Sequence, residues 1–102
     1  MKMKMYILVK DDIPVGNAIV AVAHASLIAY LEWFDDRDVQ EWMEVSFKKV
    51  VCKVDKSEYL RASFFKDHRV ITESTLGNQE VAMVFKPRKE WDPFFKELKL
   101  YK

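Results

Sequence analysis

The sequence predicts an α/β fold: a three-layer α/β/α sandwich with a mixed four-stranded sheet, the last strand antiparallel. Three observations carry this expectation. Apolar runs with strand character recur at 3–9, 48–54, 69–72 and 81–85. Segments of helical length and period separate the first three of these runs, so helical crossovers let those strands lie parallel. A short polar reversal joins the last two, which makes the fourth strand antiparallel, and right-handed crossovers place helices on both faces of the sheet.

Each element has a local cause. Met3 to Val9 begins as an alternation and becomes a continuous apolar run, the pattern of a strand covered on both faces. Its lysines interrupt any signal-like apolar region in residues 1–10, so the segment reads as structure. Asp11 to Gly16 breaks the strand, and residues 17–31, rich in alanine and large aliphatics, form a helix expected to be largely buried. The acidic and aromatic 32–36 follow it, which argues against a membrane span. Asp38 and Glu41 have capping-box spacing for a shorter helix ending near Ser46. Lys48 to Val54 is a strand by its β-branched centre. Asp55 and Glu58 repeat the capping box and start a helix through Phe65, with His68 at its end. Leu76-Gly77-Asn78 suits the reversal between the last strands, and Asp92-Pro93 caps a short terminal helix.

Composition bounds the rest. A chain of 102 residues is the length of one domain, read here as a single unit over 1–102. The formal charge of +1 gives no whole-molecule pull toward a polyanion, so RNA would require a local basic patch. Candidates for separated phosphate contacts are Lys10, Lys48, Lys49, Lys86, Arg88 and Lys89, which surface solubility explains equally. Cys52 is the sole cysteine; this excludes an intramolecular disulfide or a multi-cysteine zinc site and fits a reducing compartment, with the cytoplasm the natural assignment. His24 and His68 lack metal-ligand spacing, so no metal is expected. With only two glycines, Gly16 and Gly77, each is expected to mark a sharp bend or a close approach.

The run from Tyr6 through Val9, Asp12 and Gly16, followed by the alanine-rich helix with His24-Ala25, resembles the opening of the type-II peptidyl-tRNA hydrolases. Trp42 before the Lys49-Val50-Val51 strand, the acidic end of Val70-Ile71-Thr72-Glu73 and the closing Leu98-Lys99-Leu100-Tyr101 extend the resemblance over nearly the full chain. It implies hydrolysis of the ester between a peptide and the terminal ribose of tRNA, without a metal or other cofactor, by a homodimer. His24 and Asp12 match the family pattern. Asn17 stands where the family carries a functional lysine, Ala21 where it carries glutamine, Glu73 where it carries aspartate, and Thr75 aligns with a following threonine across a shortened loop.

Ester hydrolysis needs a positioned water, a proton acceptor and donors for the oxygen charge that develops at the carbonyl. Glu73 is the candidate base, with His24, Asn17 and Thr75 as the remaining catalytic candidates, and Asp12, Gly16 and Lys10 as substrate-binding ones. Each has a structural reading beside it: a solvated strand-end acid for Glu73, a packed helix residue for His24, a helix cap for Asn17, loop fixing for Asp12, and hairpin chemistry for Thr75. Cys52 reads as a buried, inert thiol, and Trp33 and Trp42 as core or dimer contacts. Two functional classes follow: an ester hydrolase acting on peptidyl-tRNA or a related acyl ester, or a catalytically inactive binding or regulatory module on the same fold.

Overall fold

The computed structural model describes residues 2–102; Met1, the first residue of the predicted unit, lies outside them. Strand β1 (Lys4–Lys10) is central, because its five inner residues are all buried and only an interior strand covers both faces of such a run. Beside it β2 (Lys48–Val54) runs parallel, in a register from Lys4↔Lys48 to Lys10↔Val54. On the other side β4 (Gln79–Phe85) is antiparallel to β1, and β3 (His68–Glu73) is antiparallel to β4 at the far edge. The order is β2-β1-β4-β3, so β1, β2 and β3 run together and β4 opposes them, as the sequence predicts.

Alternation along β1 divides the core in two. Met5, Ile7 and Val9 join the cluster beneath α1 (Val15–Trp33), while Tyr6 and Leu8 join the cluster under α3 (Lys56–Ala62) and α4 (Pro93–Lys96). The second cluster is aromatic: Tyr6 meets Trp91 at 4.7 Å and Phe95 at 5.3 Å between ring centroids.

Helix α1 departs from the expectation of a largely buried helix. Ala18, Ala21, Ala25 and Ala29 are 0–2 % exposed and form the stripe that meets the sheet. Ile19, Val20, Leu27 and Leu31 are exposed instead, Leu27 at 59 %. A helix on one face of a sheet is covered along one stripe only, and here the outward positions are apolar too, which hides the period in the sequence. Methyl side chains at the contact let the helix axis approach the strands closely.

The remaining differences are local. Asp36, not Asp38, caps α2 (Arg37–Glu41), accepting from the Asp38 and Val39 N–H groups, and a π-helical turn Trp42–Ser46 continues it. Asp36 also pairs with Lys86 at 3.0 Å, which spends that carboxylate at both ends of a tertiary contact. The Asp55–Glu58 capping box is present, with bonds of 2.8 and 2.9 Å. Helix α3 stops at Ala62, and His68 opens β3 instead of closing the helix, after Asp67 turns the chain at φ 59°. Gly77 is left-handed at φ 67° in the β3–β4 reversal, as expected, but Gly16 lies in the first turn of α1 with nothing within 4 Å of where a Cβ would stand. Beyond α4 the chain returns to β2: Lys53 N–H donates to the Lys99 carbonyl (3.0 Å) and Tyr101 N–H to the Val51 carbonyl (2.9 Å), covering part of that edge.

Because the α1–sheet spacing is set by alanine, Ala25→Leu should force the helix outward and cost about 1–3 kcal/mol, read as a lower urea midpoint. An unchanged midpoint would mean that the stripe is not closely packed.

Candidate functional site

The carboxyl end of β3 and the first turns of α1 face each other across the sheet. Glu73 is the last residue of β3 and is the one acidic side chain in the buried class among the described residues, at 7 % exposure. The chain turns immediately after it into a 3-10 turn, Ser74–Leu76, and that turn folds Thr75 back over the carboxylate. The Thr75 N–H donates to Glu73 Oε2 at 3.0 Å, and the Thr75 hydroxyl donates to the same oxygen at 2.8 Å. Asn17 Nδ2 in turn donates to Thr75 Oγ1 at 3.2 Å, linking residues 58 positions apart. Asn17 therefore does not cap α1; Pro14 occupies the cap position without a side-chain bond, and the asparagine points to β3.

The two carboxylate oxygens are not equivalent. Oε2 takes both Thr75 bonds, whereas Oε1 accepts no protein hydrogen bond among the described residues, yet it is not a sealed, unpaired atom. It is the oxygen able to accept from water. The backbone and hydroxyl bonds from Thr75, in that order, hold the Glu73 carboxyl below the usual range, outweighing partial burial; the positive charge of nearby His24 adds to them. Glu73 is thus ionised at neutral pH and better suited to holding a water than to keeping its proton.

His24 is exposed on α1, seven positions after Asn17, on the flank of the helix that turns toward β3. Ala21, between them, is fully buried, so no polar side chain fills that position. An ion pair between Glu32 and Arg69 fastens the far end of α1 to β3. No local signal in the sequence marks that pair, which spans 37 positions.

The proposed substrate contacts lie apart from this chain of bonds. Lys10 and Asp12 line a small hollow of about 130 Å³ with Asp11 and Lys56, at the carboxyl end of β1. The Lys10 ammonium lies over the Tyr59 ring, 4.7 Å from its centroid. Gly16 is exposed, so it leaves open surface beside Asn17 without bending the chain. Hollows of about 580 and 560 Å³ open elsewhere, at Asp11, Lys53 and Asp55 and at the β2 edge. Chemistry and cavity size point to different places, and the convergence of polar groups is the better guide for an ester reaction, which needs a held water more than an enclosed volume.

Other candidates resolve simply. Cys52 is buried, and burial, with the Glu58 charge second, pushes its thiol up to about 11, so it is protonated and unreactive at neutral pH. Trp42 is buried and donates its indole N–H to the Lys48 carbonyl at 2.8 Å, a core role. Lys86, Arg88 and Lys89 are within 4 Å of Asp36, Asp67 and Glu41, which removes them from the free cations. No three histidine, cysteine or acidic residues group as metal donors among the described residues.

A lowered folded pKa means that the stability from Glu73 is complete above the ordinary glutamate range and is lost as pH falls through it to the folded value. Glu73→Gln should therefore flatten the acid limb of stability against pH, measured by urea unfolding at stepped pH; an unaltered limb contradicts the bonding described. Thr75→Val should return the Glu73 titration toward its ordinary value by carboxyl NMR shifts.

Comparison with known families agrees with the architecture. A family model described as Peptidyl-tRNA hydrolase PTH2 matches residues 3–101, nearly the whole chain. The chain belongs to the peptidyl-tRNA hydrolase PTH2 family.

Proposed function

We propose that this protein hydrolyses the ester of peptidyl-tRNA or of a related acyl-tRNA, with Glu73 holding the water and Asn17, Thr75 and His24 organising it. The observation that carries this reading is the bonded series Asn17–Thr75–Glu73, which fixes one carboxylate oxygen and leaves the other open. In this reading a water donates to Oε1 and attacks the ester carbonyl carbon. Asn17 has a second amide hydrogen beyond the one given to Thr75, and it can donate to the carbonyl oxygen as charge develops there. The carbonyl–ribose bond breaks, the water's hydroxyl stays with the peptide as its carboxyl group, and the proton ends on the ribose oxygen. In this reading His24, exposed near Glu73, carries that proton. Lys10, Asp12 and Gly16 would meet the substrate on the β1 side.

Removing a positioned water-holding group costs roughly 10²–10⁴-fold in rate. Glu73→Gln should fall in that range against peptidyl-tRNA with binding retained, and complete inactivity of the folded wild type would exclude hydrolysis. The second reading, a binding or regulatory module without turnover, is favoured by Asn17 and by the buried methyl of Ala21 where the family carries lysine and glutamine. Salt-dependent tRNA binding without cleavage would select it. Either way the buried thiol of Cys52 fits the reducing cytoplasm.

A homodimer through α1 completes the reading. By length and composition alone α1 could cross a membrane, so its outward apolar face needs an occupant. Gly16, Val20, Ala23, Leu27, Tyr30 and Phe34 are spaced by alternating steps of four and three, the seam of a helix pair. In an antiparallel pair with a twofold axis near Ala25, Gly16 meets Phe34, Val20 meets Tyr30 and Ala23 meets Leu27, small against large. Light scattering should give twice the chain mass, and Leu27→Glu should give a folded monomer. A monomeric wild type at high concentration, or its capture by neutral lipid vesicles, would refute this pairing.

A further inference from the structure

The hollow of about 560 Å³ on the β2 edge is lined by Lys4, Lys48, Lys49 and Lys96, together with Tyr6 and Tyr101, and by no acidic residue. Lys4 and Lys48 are direct cross-strand partners on adjacent parallel strands, so their side chains share one face of the sheet. Like charges so placed repel. On the other side of Lys4 the next backbone partner is Arg88, which makes a row of three cations across neighbouring segments. Arg88 is relieved by Asp67 at 3.8 Å; neither Lys4, Lys48, Lys49 nor Lys96 has a carboxylate within 4.0 Å among the described residues. In a chain of formal charge +1, where the cations near β4 are paired with acids, this unpaired group is a local excess at the edge farthest from Glu73.

We infer that this groove binds the phosphodiester backbone of RNA, at a distance from the reacting ester. Phosphates between Lys4, Lys48 and Lys96 would relieve the repulsion that the fold builds in. Lys49 is held differently: its ammonium lies over Phe47, 3.1 Å from the ring centroid, and burial lowers its pKa, so it supports the groove wall. From three strand spacings across and seven residues along, Lys48 and Glu73 stand roughly 25 Å apart. A short acyl ester cannot reach both places, whereas a folded RNA can, with its acylated end at Glu73. In assigning the RNA to a substrate, the inference rests on the hydrolase reading; the groove's affinity for RNA does not.

The test uses the full-length protein and a fluorescently labelled deacylated tRNA transcript, which needs no ester chemistry. The wild type should bind with a steep salt dependence. Lys48→Gln with Lys96→Gln should lower the slope of log K against log salt by about one to two and weaken binding at low salt about tenfold or more, as expected for two lost phosphate contacts. Its thermal midpoint should not fall, because a repulsive group has been discharged. The control pair Arg37→Gln with Lys66→Gln, exposed cations outside the groove, should bind as wild type. Equal losses in both pairs, no binding by the wild type, or binding to phosphatidylserine vesicles in preference to tRNA would each overturn the inference. Binding that follows this pattern without any peptidyl-tRNA cleavage would sink the hydrolase reading alone, and unaltered affinity in the Lys48/Lys96 pair beside normal cleavage would sink the groove alone.

Discussion

The close seating of α1 on the sheet, through four alanines, is the contact on which the rest of the structure depends. Larger residues at those positions would hold the helix axis farther from the strands. The Asn17 amide, in the second half of the helix's first turn, would then no longer reach the Thr75 hydroxyl. The 3.2 Å bond between them is therefore a product of core packing. Two unrelated-looking facts, a stripe of methyl groups and a polar series at the end of β3, are one mechanical arrangement.

That arrangement also explains why the site sits at a strand end. β3 is an edge strand whose last residue points toward the helix layer, and the 3-10 turn after it supplies a backbone donor and a hydroxyl within two residues. A glutamate placed there is fixed by its own turn and needs no distant partner to stay ionised. His24 then adds charge from the helix, and Asn17 closes the series. The bonded groups come from two elements whose separation is set by the same alanines, and the Glu32–Arg69 ion pair fastens the opposite end of the contact.

The outer face of α1 and the β2 edge show how a small α/β unit leaves surface to be occupied. An apolar seam with heptad spacing stands on one, and a group of cations without carboxylate partners stands on the other. Neither is relieved among the described residues. The carboxyl-terminal segment does cover part of β2, with Tyr101 reaching the core beneath α1, so the remaining open length of that edge is short and flanked by lysine.

Much of the fold was legible residue by residue, because its causes are local. The continuous apolar run of β1 announces burial on both faces; Asp55 with Glu58 and Asp92 with Pro93 mark helix starts by bonds that span three residues or fewer. The alternation of helices and strands leaves few sheet topologies, and the family resemblance singled out Glu73, Thr75, Asn17 and His24. Tertiary structure alone decided what those residues do to one another. Asn17 could be a cap or a partner of the far strand, and only the α1–β3 distance chooses between them. The aliphatics of α1 could face inward or outward, and since both sides of the helix are apolar, only the sheet's position separates the alanine stripe from the seam. Asp36, not Asp38, caps α2 through Oδ1, while Lys86, fifty residues away, holds its other oxygen. Likewise Lys4 and Lys48 are ordinary surface lysines in the sequence and become a repelling pair only through strand register. Local bonding is written in neighbouring residues; charge, packing and reach depend on distances that exist only after the chain has closed on itself.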